Sequence, residues 1–324
     1  MIATPRFLVI TDLDFWADLL VDGLSRGSIY ALLALGYTMV YGVLQLINFA
    51  HGEVFMVGAF AGYFVLIDLF GGDEVSGAMI WVAIATALLA AGTVSAATAV
   101  AIERIAYRPL RNAPRLAPLI SAIGVSIFLS ALVNDLFLDG ESRFYPQIFP
   151  NGDVSAGPLT VSYLQMFLIG SSLAFMAGLY WVVQRTGTGR AIRAVSENRD
   201  TAALMGIDVN RAIVTTFILG AVMAGFGGVL YGLFLSQIRG TMGFLPGIKA
   251  FTAAVLGGIG SIPGAVVGGF VLGLTETLGR EALNQVPGVN LPSQWQDVVA
   301  FALLVLVLIF RPTGIFRQKE AKRA

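Results

Sequence analysis

Cysteine is absent from this chain of 324 residues, so it can form neither a disulfide framework nor a thiolate metal site. A single histidine, His51, removes every multi-histidine metal cluster. Charge is scarce as well: 12% of residues are Asp, Glu, Lys or Arg, against about a quarter in soluble domains. Hydrophobic residues make up 56%, and mean hydropathy is +0.80. Too few polar atoms remain to cover a water-facing surface, so the chain reads as an integral membrane protein. Its 20 basic and 20 acidic residues cancel, which argues against a nucleic-acid partner and makes the distribution of charge the informative quantity. No G-x-x-x-x-G-K-[ST] loop is present, so ATP-binding chemistry is not encoded here. No nucleophile with its base is visible, and no catalytic residue or metal ligand is expected.

What is present is a series of apolar runs close to the roughly 20 residues needed to cross a bilayer. They fall at about 27–46, 53–70, 78–101, 117–138, 162–183, 213–236 and 295–310. Ahead of them, Leu13, Trp16, Leu19 and Leu20 share one helical face and Asp14, Asp18 and Asp22 another, the pattern of an amphipathic interfacial helix within 1–26. Those three aspartates and Asp12 interrupt the apolar residues where a cleavable signal needs an unbroken core. Between the last two runs lies 249–279, broken by Gly257-Gly258, Gly260, Pro263-Gly264 and Gly268-Gly269.

Charge sets the orientation. Most of the 20 basic residues fall in three places: 102–116, 185–211 and the tail after 310. In the remaining connections acids outnumber bases, so the positive-inside rule makes the first three cytoplasmic. Six crossings return the chain to the outside at 237, and a single crossing through 249–279 would leave the basic tail on the wrong side. The segment is therefore expected to be a broken hairpin or re-entrant element that leaves on the side it entered and borders the translocation route. The expected fold is all-α and polytopic, with about seven full spans, this re-entrant element and the amphipathic amino-terminal helix. Its organisation is 1–26 as an interfacial segment, 27–311 as one transmembrane domain, and 312–324 as a basic cytosolic tail.

The stretch 185–211 carries Arg185, Arg190, Arg193, Arg199 and Arg211 against Glu197, Asp200 and Asp208. It cannot sit in hydrocarbon. Arg190, Arg193 and Glu197 recur at helical spacing, and Asp200-Thr201-Ala202-Ala203-Leu204-Met205-Gly206 gives an acidic start and a terminating glycine. Such a helical pair either docks a soluble partner or merely solvates a loop and anchors it to anionic lipid. His51 and Glu53, with Asn48, lie where the first two spans meet. Either they cap and begin a helix there, or the turn dips inward and lines the route. Lys249 is expected to snorkel to the external interface, and Glu276 either faces a cavity or neutralises a basic neighbour. The glycines from 257 to 269 have close helix packing as their plain reading.

Gly27-Ser28-Ile29-Tyr30-Ala31-Leu32, Gly36-Tyr37-Thr38-Met39-Val40-Tyr41-Gly42 and Ile47-Asn48-Phe49-Ala50-His51-Gly52-Glu53 resemble the amino-terminal signature of branched-chain amino acid ABC transporter permeases of bacterial inner membranes. Ile102-Glu103-Arg104-Ile105-Ala106-Tyr107-Arg108-Pro109-Leu110, Leu119-Ile120-Ser121-Ala122-Ile123-Gly124, Lys249 to Ala265 and Arg311-Pro312-Thr313-Gly314-Ile315 are similar in the same order. Permeases for urea and short-chain amides share much of this pattern. The resemblance implies a transport subunit, not an enzyme, paired with a second related permease. Two cytosolic ATPases holding Mg-ATP would drive it, and a periplasmic binding protein would deliver the amino acid. It also implies that Arg193, Glu197, Asp200, Ala202 and Gly206 couple the chain to an ATPase. Asp200-Thr201-Ala202-x-x-x-Gly206 is similar to the family's E-A-A-x-x-x-G element, with Asp for Glu and Thr for Ala. Asn48, His51, Glu53, Gly257, Gly258, Pro263 and Glu276 stand as pathway candidates. A stand-alone secondary transporter is the reading from another class, and the scarcity of ionisable residues in the spans counts against it.

Overall fold

The computed structural model describes residues 13–72, 75–111, 113–114, 116–137, 141–286, 289, 291–311 and 313–316. The chain before Leu13 and most of the expected tail, Pro312 and 317–324, lie outside the described residues. Eleven α-helices follow one another among those described. They are α1 (Leu13–Leu44), α2 (His51–Phe64), α3 (Met79–Ile102), α4 (Leu116–Phe137), α5 (Tyr163–Arg185), α6 (Gly187–Glu197), α7 (Arg199–Leu204), α8 (Val209–Leu235), α9 (Phe244–Gly257), α10 (Ile262–Asn284) and α11 (Trp295–Phe310). A π-helical turn at Val65–Leu69 extends α2, and π and 3-10 turns carry α3 on to Leu110. Among the described residues, sheet is confined to two short antiparallel pairs: β1 (Arg143–Phe144) with β4 (Gln237–Ile238), and β2 (Asp153–Ala156) with β3 (Leu159–Ser162).

Among the described residues seven helices are long and apolar enough to span a membrane, and the chain is a polytopic all-α membrane protein. Six of them match the runs read from the sequence. The seventh by length is α10, with 23 residues, whereas α11 has 16. The broken segment resolves into α9 and α10, joined by a turn at 258–261. At 14 residues α9 is about 21 Å long, too short for a core of about 30 Å. Ser261 caps α10 by accepting from the Gly264 amide at 3.1 Å, with Pro263 in the first turn, where its missing N–H costs nothing.

The amphipathic amino-terminal helix leads without a break into the first span: residues 13–26 are the first turns of α1, with Ala17 and Val21 buried and Leu13, Asp14 and Asp18 exposed. The reason is small residues. Gly23, Gly27 and Ala31 on α1 meet Leu274, Gly273, Phe270 and Gly269 on α10 backbone to backbone, so a Cβ at Gly269 would come within 2.5 Å of Ala31. Without a hydrophobic drive between helices in lipid, such close approach is what holds them together. Asp22 adds a polar tie, accepting from Gln165 Nε2 of α5 at 3.0 Å.

The packing repeats itself upside down. The helix α1 runs antiparallel along α10 and carries α9 beside it in the same sense; α8 lies along α3 and carries α2 in the same sense. Two half-length helices, α2 and α9, each follow a long one. Each of those long helices ends in a left-handed non-glycine residue, Gln45 (φ 54°) after α1 and Ser236 (φ 58°) after α8. The half-helices cross where Gly52 and Gly243 touch: a Cβ on either would lie about 2.4–2.5 Å from the other's carbonyl oxygen. Thus α1–α4 and α8–α11 trace one path in opposite senses, with α5–α7 between them.

Candidate functional site

The first candidate is the polar turn at one end of the bundle. Thr186 caps α6 by accepting from the Gly189 amide at 3.1 Å, and Asn198 caps α7 by accepting from Thr201 at 2.9 Å. Ile192 and Val195 bury the inner face of α6, and Ala202 buries that of α7. Glu197 and Asp200 face solvent. Gly206 closes α7 at φ 82°, a left-handed conformation that costs other residues energy. The arginines are anchors. Arg193 donates to the Val183 carbonyl on α5. Arg199 donates to the Val43 carbonyl at the end of α1, at 2.7 Å. Burial, then the nearby Arg111, lowers the Arg199 pKa, with Asp200 opposing. Arg111 itself bonds Asn210 at 2.6 Å and pairs with the buried Glu103. The segment is thereby fixed to α1, α3, α5 and α8, while its tip presents Leu204 and Met205 at 87% and 77% exposure. Sequence reading passed over that apolar pair. Its signal was two large apolar residues inside an otherwise polar turn.

The second candidate lies at mid-height. After α1 ends, residues 45–50 climb back into the bundle, and α2 begins level with the middles of its neighbours. His51 lies against Gly36, which itself touches Gly220 of α8, and Tyr37 meets its ring edge to face at 4.8 Å between centroids. Ser95, midway along α3, donates to the Val54 carbonyl at 3.1 Å, and Ser126, midway along α4, donates to Glu53 Oε1 at 3.1 Å. The turn therefore dips inward. His51 does not cap the helix, whose N-cap is Ala50 with no side-chain cap; Asn48, just ahead, accepts at Oδ1 from the Ala50 amide at 3.1 Å and from the Tyr107 hydroxyl at 2.7 Å. Glu53 Oε2 has no partner and points at Gly243, the first turn of α9. Asn48, His51 and Glu53 are brought together, each less than 5% exposed.

The other pathway candidates are elsewhere. Gly257 lies against the Gly264 carbonyl in the α9–α10 contact, and Pro263 is exposed. Gly258, at φ 102°, is clamped by the chain end, where Ile315 donates to the Leu256 carbonyl at 2.8 Å and Phe316 to that of Gly257 at 3.0 Å. Beside this clamp an apolar groove of about 250 Å³ runs along Leu306, Val307 and Phe310. Lys249 does not snorkel outward. It is 7% exposed, and its ammonium donates to Glu276 at 2.8 Å, Asp297 at 2.6 Å and the Tyr30 hydroxyl at 3.4 Å. An ammonium held among two carboxylates inside the bundle has a better alternative than the interface.

Comparison with known proteins adds to this geometry. Residues 19–308 match the family model described as the branched-chain amino acid transport system / permease component. A high-affinity branched-chain amino acid transport system permease protein of Pseudomonas aeruginosa, BraD, is 44% identical, covering 94% of this chain and 96% of its own length. The corresponding Escherichia coli protein, LivH, is 40% identical, covering 95% and 98%. A probable branched-chain amino acid transport permease protein of Methanocaldococcus jannaschii is 27% identical over 93% of each chain.

Proposed function

This chain belongs to the branched-chain amino acid transport system permease family, and from that premise we propose that it is the membrane subunit of an ATP-driven importer of leucine, isoleucine and valine. The observation that carries the reading is similarity along nearly the whole chain to permeases of that transport system. In this reading the subunit pairs with a second, related permease in a bacterial inner membrane. Two ATPases hold and hydrolyse Mg-ATP on the cytosolic side, and a binding protein delivers the amino acid to the opposite face. The arginine-rich end is the cytosolic one, so the chain end beside α9 is cytosolic too.

Coupling runs through the helical pair α6–α7. Leu204 and Met205 insert into a partner ATPase, Gly206 holds the tip in place, and Glu197 and Asp200 edge the contact. Arg199 and Arg193 hand the motion to α1 and α5 through their carbonyl contacts. The mid-height crossing of α2 and α9 is the constriction that opens and closes as access alternates. Exposed apolar residues at a membrane protein's polar end support a protein contact there.

The test is uptake of labelled leucine in cells lacking this gene and other leucine systems, before and after its restoration. Uptake that returns with the gene and is competed by isoleucine and valine is the expected result. No return of leucine uptake, with labelled urea or a short-chain amide accumulating instead, would move the assignment to those substrates.

A further inference from the structure

Five helices send charged or aromatic side chains to one place in the half of the bundle away from α6–α7. From α1 come Arg26 and Tyr30, from α8 Tyr231 and Phe234, from α9 Lys249, from α10 Glu276 and from α11 Asp297. Lys249 ties three of the elements together through its bonds to Glu276, Asp297 and Tyr30, and lies 5.6 Å from the centroid of the Tyr30 ring. The Arg26 guanidinium stands 5.4 Å from the Phe234 ring centroid. Arg26 and Tyr30 stand one turn apart on α1, and Tyr231 and Phe234 one turn apart on α8, so the two contacts are neighbours. Phe55 closes its wall, 5.4 Å from the Tyr231 ring.

Two polar atoms in this cluster are unspent. Glu276 is 1% exposed; Lys249 takes its Oε1, and its Oε2 has no partner. Arg26 Nε is buried and likewise unpartnered. In the low-dielectric interior an unsatisfied charged group is costly, and ionisable residues inside a membrane domain are retained where they meet a solute. What the cluster offers is one free carboxylate oxygen and one free guanidinium N–H, the pair that a solute carrying both an ammonium and a carboxylate would meet.

We propose that this cluster is a binding subsite for a zwitterionic α-amino acid within the permease: Glu276 Oε2 accepts from its ammonium, Arg26 donates to its carboxylate, and Tyr30, Tyr231 and Phe234 receive an apolar side chain. Lys249 and Asp297 are positioning residues, fixing the Glu276 carboxyl and its charge. The subsite rests on the transport reading above and goes beyond it, because it assigns recognition of the free amino acid to this chain as well as to a binding protein.

The experiment uses the whole importer in proteoliposomes, with labelled leucine as substrate and two competitors: leucine amide, which lacks the carboxylate, and 4-methylpentanoate, which lacks the ammonium. Wild-type uptake must first be established; its absence would remove the transport reading itself. Given uptake, Arg26→Gln is expected to raise the KM for leucine at least tenfold and to improve leucine amide as a competitor relative to wild type. Glu276→Gln should raise KM similarly and favour 4-methylpentanoate instead. A structural role predicts a different outcome: both variants lose maximal rate and membrane level with the competitor ranking unchanged, which overturns the proposal. Wild-type KM and ranking in both variants overturns it equally. Glu276→Asp, which keeps the charge, is expected to recover part of the affinity.

Discussion

Lys249 is worth more to the fold than its sequence surroundings imply. Replacing it with methionine leaves Glu276 and Asp297 facing each other without a cation, and breaking a buried pair by removing one partner costs about 3–5 kcal/mol. Lys249→Met should therefore lower the midpoint of thermal unfolding of the detergent-purified protein far more than Glu276→Gln, which leaves Lys249 its bond to Asp297. Midpoints equal to that of the unsubstituted protein in both variants would mean that the cluster contributes no stability. Gly206 offers the opposite case. Nothing lies within 4 Å of a Cβ built there, so a substitution meets only the cost of its left-handed backbone, about 1–2 kcal/mol. Gly206→Trp is expected to reach normal membrane levels and still lose most leucine uptake, because the added ring sits at the docking tip. Full uptake by that variant would remove Gly206 from the coupling element. Legibility also differs between the two residues. Gly206 follows an acidic start and an alanine-rich turn, a local pattern that can be read directly. The Lys249 triad joins residues brought together by three different helices, and no local periodicity encodes that.

At the level of elements, the break between α9 and α10 was readable because glycine and proline interrupt an otherwise spanning run. The inward return of 45–50 was not, since Gln45 to Ala50 contains no glycine or proline and resembles an ordinary short turn. Its depth is fixed by contacts with Gly36, Ser95 and Ser126 on three other helices. The amphipathic start of α1 was legible, but not its unbroken run into the span: Asp14 and Asp18 stay exposed, while Asp22 finds Gln165 on a helix far along the chain. Packing of α1 on α10 makes a sharp prediction. Gly269→Val forces a side chain into the Ala31 backbone and should abolish accumulation of folded protein, whereas Gly178→Val, with nothing within 4 Å of the new Cβ, should leave it unchanged. Membrane levels by immunoblot, together with a fluorescence-detected size-exclusion profile, separate the two outcomes.

For the molecule as a whole, sidedness follows from where arginine is dense, and the lack of cysteine makes it simple to check. A single cysteine introduced at Gly157, in the turn between β2 and β3, should react with a membrane-impermeant maleimide on intact spheroplasts. One at Thr201 in α7 should react only after the membrane is opened. The reverse pattern would invert the orientation and detach α6–α7 from any cytosolic ATPase.

The pairing of α1 with α10 also governs the order in which the chain can be completed. Of the described helices α1 comes first, and most of its length from Val21 on is buried in the finished bundle, yet its main partner is among the last to be synthesised. At about 5–20 residues per second, α1 spends roughly 10–50 s in the bilayer with Gly23, Gly27, Ala31 and its polar flank uncovered. During that interval the nascent chain is indistinguishable from a failed one to any protease or chaperone that surveys the membrane for naked polar faces. A ribosome that stops before Ile262 leaves that exposure permanent, so biosynthesis of this protein is a race between elongation and disposal.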